Sequence, residues 1–412
     1  MTTYETGGAR AGISVMVVFI LAGLLISAGG LMVAPLVFLG GLFAFPISIF
    51  KDFRRDIPWE ALVATLFIAW VCVTWFWSPY DKPDQMIKLA LGIPFYAAFA
   101  VACARLRGRW KARAESLFLF ATMGAALILL LESFTGSAMT TTVKAALEGG
   151  LDLEAMAPAT LVDFQIRVSQ SLGHGALPLI LMAGPAAALA WREGGPLIGL
   201  TLIGIAIIVG FSFSISVNAV AVLFAMVIAA ATYWRPRGML SGLFGALAGA
   251  FVVIPLILPG LATMLPQSIR NSIPASWDIR LDIWAFAGET LQERLWTGWG
   301  FDASRVISQD GMVRGQAYEL LPLHPHNAPL HVWLETGLIG SMLLTFALVM
   351  IGGRVAGAPQ LSRLQAAAIA WVVSAYFVFI FFSYGIWQEW HLGALGLALG
   401  GTMFLGAKGR AR

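Results

Sequence analysis

His324-Pro325-His326-Asn327 leads straight into APLHVWLETGLIGSMLLTFALVM, residues 328–350, and this junction sets the reading of the whole chain. The run from Ala328 to Met350 is long and apolar enough to cross a hydrocarbon core about 30 Å thick, which takes ~20 helical residues. Two of the five histidines stand at its mouth, and His331 and Glu335 lie inside it. Ionisable groups at membrane depth are costly, so their presence points to use.

Runs of the same kind recur from end to end. The 412 residues are 59% hydrophobic and 12% charged, with a mean hydropathy of +0.81, far from the balance of a soluble domain. Spans are expected near 12–29, 31–50, 59–77, 87–104, 115–133, 174–191, 197–213, 216–234, 239–258, 328–350, 366–383 and 390–407. The fold class expected is therefore all-α, a polytopic membrane protein of about twelve transmembrane helices. With no repeat or low-complexity tract, residues 1–412 read as a single integral membrane domain. A second apolar run follows the first at once, so the N-terminal run reads as a retained span and not a cleaved leader.

Lysine and arginine in the connections orient the spans, because positive charge resists translocation. Arg10, Lys51, Arg54, Arg55, the cluster from Arg105 to Arg113, Arg192, Arg235, Arg237, Arg354, Arg363, Lys408, Arg410 and Arg412 fall on one side. That side is assigned to the cytoplasm, with both termini inside. The net charge of +4 is explained by this bias and calls for no nucleic-acid partner. Cys72 and Cys103 fall within apolar runs and suggest neither a disulfide nor a metal site.

Two long segments, 134–173 and 259–327, face the other side, and function is expected there. In the second, Ser276-Trp277-Asp278 resembles a capped helix start. Leu281, Trp284, Leu291 and Leu295 recur at helical intervals, which suggests a helix lying along the membrane surface. Trp296, Trp299 and Phe301 suit the headgroup region. Gly298-Trp299-Gly300 lacks the strand and third glycine of a dinucleotide fingerprint, and no Walker or kinase signature is present.

Asn327, His331 and Glu335 share one face of the tenth span at i, i+4 and i+8. Glu335 needs a partner at such depth, either His331 or a base on a neighbouring element; a packing clamp is as good a reading as a site. His326, at the mouth, is neutral near pH 7 by its ordinary pKa and can serve as a general base. His324 and His326 have no convincing third ligand, so no metal site is expected. Tyr384-Gly385-Ile386-Trp387-Gln388-Glu389-Trp390-His391 either lines a groove on the same face or anchors the interface.

His326-Asn327, nine residues, then Gly337-Leu338-Ile339-Gly340 resembles the signature of the bacterial O-antigen ligase family. Arg280-Leu281-Asp282-Ile283-Trp284 and Gly298-Trp299-Gly300 resemble the arginine, tryptophan and GxG elements of the domain that ligases share with O-antigen polymerases. The resemblance covers about residues 160–345. It implies a cofactor-free, inverting, metal-independent glycosyltransferase of the bacterial inner membrane, multi-pass, with a periplasmic active site and periplasmic loops at 134–173 and 259–327. The donor implied is a glycan on undecaprenyl diphosphate; the acceptor is the lipid A core for a ligase, or another lipid-linked repeat for a polymerase. Membrane lipids are the remaining partners.

Under that resemblance His326 and Arg280 are the expected catalytic residues: the imidazole takes up the acceptor proton or binds sugar or phosphate, and the guanidinium stabilises the leaving diphosphate. Arg167 matches a further family arginine, and Asn327, Trp284 and Glu335 are expected at the substrate. Where many members carry Ser-x-Ser-Arg, this chain reads Ser214-Ile215-Ser216-Val217. Arg305 or Arg314 would then supply the missing charge. His174, where asparagine is common, is given no role. A transporter or flippase is the rival reading from another class, and would place its binding site at the midplane.

Overall fold

The computed structural model describes residues 4–45, 58–153 and 155–406. The chain is almost entirely helical: α1 (Tyr4–Leu25), α2 (Val33–Phe43), α3 (Trp59–Thr74), α4 (Asp84–Arg105), α5 (Gly108–Phe134), α6 (Ala138–Leu147), α7 (Pro158–Arg192), α8 (Pro196–Ser212), α9 (Val217–Trp234), α10 (Pro236–Met264), α11 (Gln267–Ser272), α12 (Ala275–Glu293), α13 (Ala328–Ala356), α14 (Arg363–Phe382) and α15 (Glu389–Met403). Every expected span overlaps a helix. Among the described residues nine helices are long and apolar enough to cross a membrane, and α2 and α8 are shorter apolar helices. Lys51, Arg54, Arg55, Lys408, Arg410 and Arg412 lie outside the described residues, as does the end of the expected second span.

α7 and α14 are the inner helices, each with 78% of its apolar window buried, against 17% for α3. Phe19, Phe99, Phe118 and Phe404 meet edge to face at one end of the core, with Phe19 and Phe118 at 5.0 Å, and tie α1, α4 and α5 to the end of α15. α7 begins at Pro158, well before the expected span at 174, because a proline at the first helical position has no N–H to leave unsatisfied.

The tenth span is not one continuous helix. α13 breaks at Gly337, which takes φ 66° and ψ −172°, a conformation in which a side chain would be strained. The break frees backbone groups, and the chain after α12 satisfies them. Leu338 and Ile339 donate to the carbonyls of Leu295 and Trp296, while Trp299 and Gly300 donate to Leu334 and Glu335. A Cβ at Gly298 or Gly337 would collide with the opposite backbone. Trp70 Nε1 and Trp77 Nε1 add bonds to Thr336 O and Gly298 O. The two glycine motifs are thus halves of one backbone joint.

Pro255 docks the same helix lower down. Proline cannot bond the carbonyl four residues back, here that of Phe251, and Trp333 Nε1 and Ser341 Oγ each take it at 2.8 Å.

Candidate functional site

α12 has Pro274 at its N-cap and no side-chain cap, so the expected serine cap is not formed; Ser276 lies within the helix. Leu281, Ile283, Trp284, Ala287 and Leu291 are buried, and they pack with Leu330, Trp333 and Leu334 of α13. The apolar face that the helical spacing marked is wedged against protein along this side. Trp296 is exposed as expected, but Phe301 is fully buried beside Trp387, and Trp299 donates to Thr290 O and takes Arg294 over its ring at 4.3 Å. Phe301 is therefore a core residue and not a headgroup one, while Trp299 is half-buried.

A short hairpin of β1 (Asp310–Val313) and β2 (Gln316–Glu319) is clasped onto α12 by charge. Arg270 reaches Asp278 at 2.7 Å and Asp282 at 2.6 Å; Arg314 reaches Asp278 at 3.1 Å and bonds the carbonyls of Arg270 and Ile273. Tyr318 donates to Asp282. Burial alone would raise the Asp278 pKa, but the two guanidiniums hold it below the usual carboxylate value. Arg314 is therefore occupied by structure, not by an open site.

Arg280, two residues after Asp278, differs. Its guanidinium lies 5.1 Å from the Trp277 ring centroid, its Nε is buried without a hydrogen bond, and among the described residues no carboxylate pairs with it. Burial lowers its pKa from the ordinary value. The side chain is half-buried, and a cation left without a counter-charge is chemically able to bind an anion.

His326 takes φ 51°, unusual for a side-chain-bearing residue. Three bonds hold its loop: the Pro325 carbonyl accepts from Trp284 Nε1 at 3.0 Å, His326 N–H donates to His324 Nδ1 at 3.2 Å, and His326 Nδ1–H donates to Ser383 O at 2.7 Å. The last bond fixes the tautomer and leaves Nε2 as the lone-pair nitrogen. Burial first, then the nearby Arg280 charge, lowers the His326 pKa. The ring is a neutral base at physiological pH.

Arg280, His326 and Arg305 line one cavity of about 800 Å³ at the span ends assigned away from the basic side. Arg305 is paired with Asp302 at 3.0 Å, and burial followed by Glu335 raises the Asp302 pKa to about 6. Ser214, Ser216 and Val217 line the cavity at the position of the missing arginine. So does His174, whose ring packs against those of Tyr384 and Trp390 at 5.6 and 5.5 Å. Sequence reasoning passed over it, together with Gln85 and Gln170. Of the loop from Tyr384 to His391, Tyr384, Gln388, Glu389 and Trp390 line the cavity.

The remaining expected site residues lie elsewhere. Arg167 is exposed, over the Phe164 ring, one turn before Gln170 and outside the lining set. Asn327 caps α13 by accepting from Leu330 N–H and bonds Phe381 O. Glu335 is completely buried and takes four donors: Asp302 N–H, Ser304 N–H, His331 Nε2–H at 3.1 Å and Trp387 Nε1–H at 2.6 Å. His331 Nδ1 accepts from Ile386 N–H, which fixes that tautomer. A carboxylate accepts about four bonds, so Glu335 has no capacity left. Among the described residues no group of three His, Cys, Asp or Glu could hold a metal ion.

Residues 198–345 match the family model described as O-antigen ligase, the family whose signature the histidine stretch resembles. The match includes Arg280, Arg305 and His326 and leaves out Arg167, His174 and the loop after α14. Among curated proteins, the chain is 32% identical over 143 residues to one of Rickettsia prowazekii (strain Madrid E) named "Putative polysaccharide ligase", covering 33% of this chain and 35% of that protein. A protein of the same description in Rickettsia typhi (strain ATCC VR-144 / Wilmington) is 34% identical over 115 residues, 27% of this chain and 28% of its own length. One in Rickettsia felis (strain ATCC VR-1525 / URRWXCal2) is 28% identical over 155 residues, 36% and 38% of the two chains. The match thus spans about a third of the length of these relatives. No solved structure matches.

Proposed function

We propose that this chain, with its O-antigen ligase match across residues 198–345, is an inner-membrane glycosyltransferase that passes a glycan from undecaprenyl diphosphate to the lipid A core. The active site is periplasmic and both termini are cytoplasmic. The observation that carries the reading is the cavity shared by an unpaired guanidinium, Arg280, and a neutral imidazole, His326, whose Nε2 is free to accept a proton. Its position at the span ends, not the midplane, supports transfer over transport.

In the reaction, Arg280 binds the diphosphate and stabilises the charge that grows on it as the bond to the anomeric carbon breaks. Arg305 is the second cation. It lines the same cavity as the neutral Val217, so it takes the place of the family arginine, and Arg314, which does not line the cavity, does not. His326 Nε2 accepts the proton of the acceptor hydroxyl as its oxygen attacks the anomeric carbon from the opposite face, so the centre inverts in one displacement without a metal. Leu31, Ile215 and Val220 give the prenyl chain an apolar wall. Trp284, Asn327 and Glu335 hold the loop and the broken helix instead of touching substrate, and Arg167 stands at the rim.

Purified chain would be given a defined glycan on undecaprenyl diphosphate with two competing acceptors, lipid A core and a second lipid-linked repeat. Product mass equal to core plus glycan is expected. A product of two joined repeats would make the chain a polymerase, and no transfer to either would refute the reading.

A further inference from the structure

The cavity carries one acid that the mechanism does not use. Glu389, at the first turn of α15, lines it beside Gln388, and Gln85 of α4 reaches in from the opposite helix. Gln85 Nε2 donates to Glu389 Oε2 at 2.7 Å and to Trp387 O at 2.6 Å, and Lys88 lies 3.7 Å from Glu389 Oε1. Glu389 is thus fixed in place and only partly neutralised, since Lys88 is 56% exposed. Gln388 Oε1 is buried without a hydrogen-bond partner. It is the N-cap residue of α15 and makes no capping bond, so the helix does not account for it. Gln85 and Gln388, with Arg305 and His324, also line a small adjoining pocket that Arg280 does not reach.

A carboxylate repels a diphosphate, so the donor's anion does not rest here. Carboxylate and amide oxygens accept hydrogen bonds from neutral hydroxyls, and amide nitrogens donate to them. We infer that Glu389, Gln388 and Gln85 form a subsite for the hydroxyl groups of the acceptor sugar, apart from Arg280 and bordering Arg305, with His326 positioned to take the proton of the attacking hydroxyl. The inference rests on the transfer reaction proposed above and names the side of the cavity that receives the acceptor.

The test uses full-length chain in nanodiscs with Glu389→Gln and Gln388→Ala. Glu389→Gln keeps the shape and the Gln85 contact while removing the charge. Binding of undecaprenyl diphosphate is measured directly, and transfer is measured against lipid A core concentration. Both variants should bind the lipid diphosphate as wild type does and show an acceptor KM raised about tenfold, with Gln388→Asn recovering part of the loss. An acceptor KM unchanged from wild type in either variant, or weaker lipid-diphosphate binding in either, would overturn the subsite. Failure of wild type to bind the lipid diphosphate would instead remove the transfer reading beneath it, and the subsite with it.

Discussion

Two cationic regions lie a few residues apart on α12, and they are built to opposite ends. Around Asp278 and Asp282, the guanidiniums of Arg270 and Arg314 are matched by carboxylates and carbonyls, and the result is a clasp between the hairpin, α11 and α12. At Arg280 no carboxylate among the described residues answers, and the side chain faces a cavity with His326. Charge neutralised within the fold fixes architecture. Charge left open is free to meet a ligand, and the same helix carries both kinds while Trp284, one turn past Arg280, fastens the loop of His326.

The largest effect that would sharpen this contrast comes from Arg280→Ala. It should cut transfer about 1000-fold, as loss of a key charge-stabilising donor does, while thermal unfolding in detergent stays at the wild-type temperature. Asp278→Ala should do the reverse. It removes the carboxylate that Arg314 pairs with and one of the two that hold Arg270, and should cost about 2 kcal/mol of stability, read as lowered thermal resistance, with transfer by the surviving folded fraction retained.

His326→Ala should lower transfer about 100-fold, in the range of lost general-base catalysis, without weakening lipid-diphosphate binding. The pH profile of the wild type tests the same residue. Because burial and Arg280 lower its pKa, His326 stays neutral, and active, to below its ordinary value of 6.5, and rate should fall only as pH drops through that lowered pKa. In the residual activity of Arg280→Ala the acid limb should move upward, since one charge opposing protonation is gone. A smaller effect is expected from Trp284→Phe, which keeps the ring and loses the bond to Pro325 O: about 1 kcal/mol, seen as a several-fold lower kcat at unchanged donor KM.

The bundle was legible because spans depend on local apolar length alone, and Arg280 and His326 stood out as titratable groups at span mouths. The joint at Gly337 was not. Its partners at Leu295 to Gly300 lie about forty positions away, and no periodicity reports a backbone docking onto a break. The hairpin was also unseen. Arg314 and Gly315 both take positive φ, as a two-residue hairpin turn of this kind requires, but arginine there lacks the asparagine or aspartate that usually signals it. Glu335 was correctly expected to need a partner, and His331 supplies one at 3.1 Å. That it already takes three other donors depends on loops distant in sequence. Arg314 and Arg280 looked alike in sequence because pairing is decided by which acids fold beside them.

Equilibrium binding of undecaprenyl diphosphate to wild type, Arg280→Ala and His326→Ala in nanodiscs tests the central claim most directly. The account predicts that Arg280→Ala loses at least tenfold in affinity while His326→Ala binds as wild type does. Equal affinity in wild type and Arg280→Ala would contradict it.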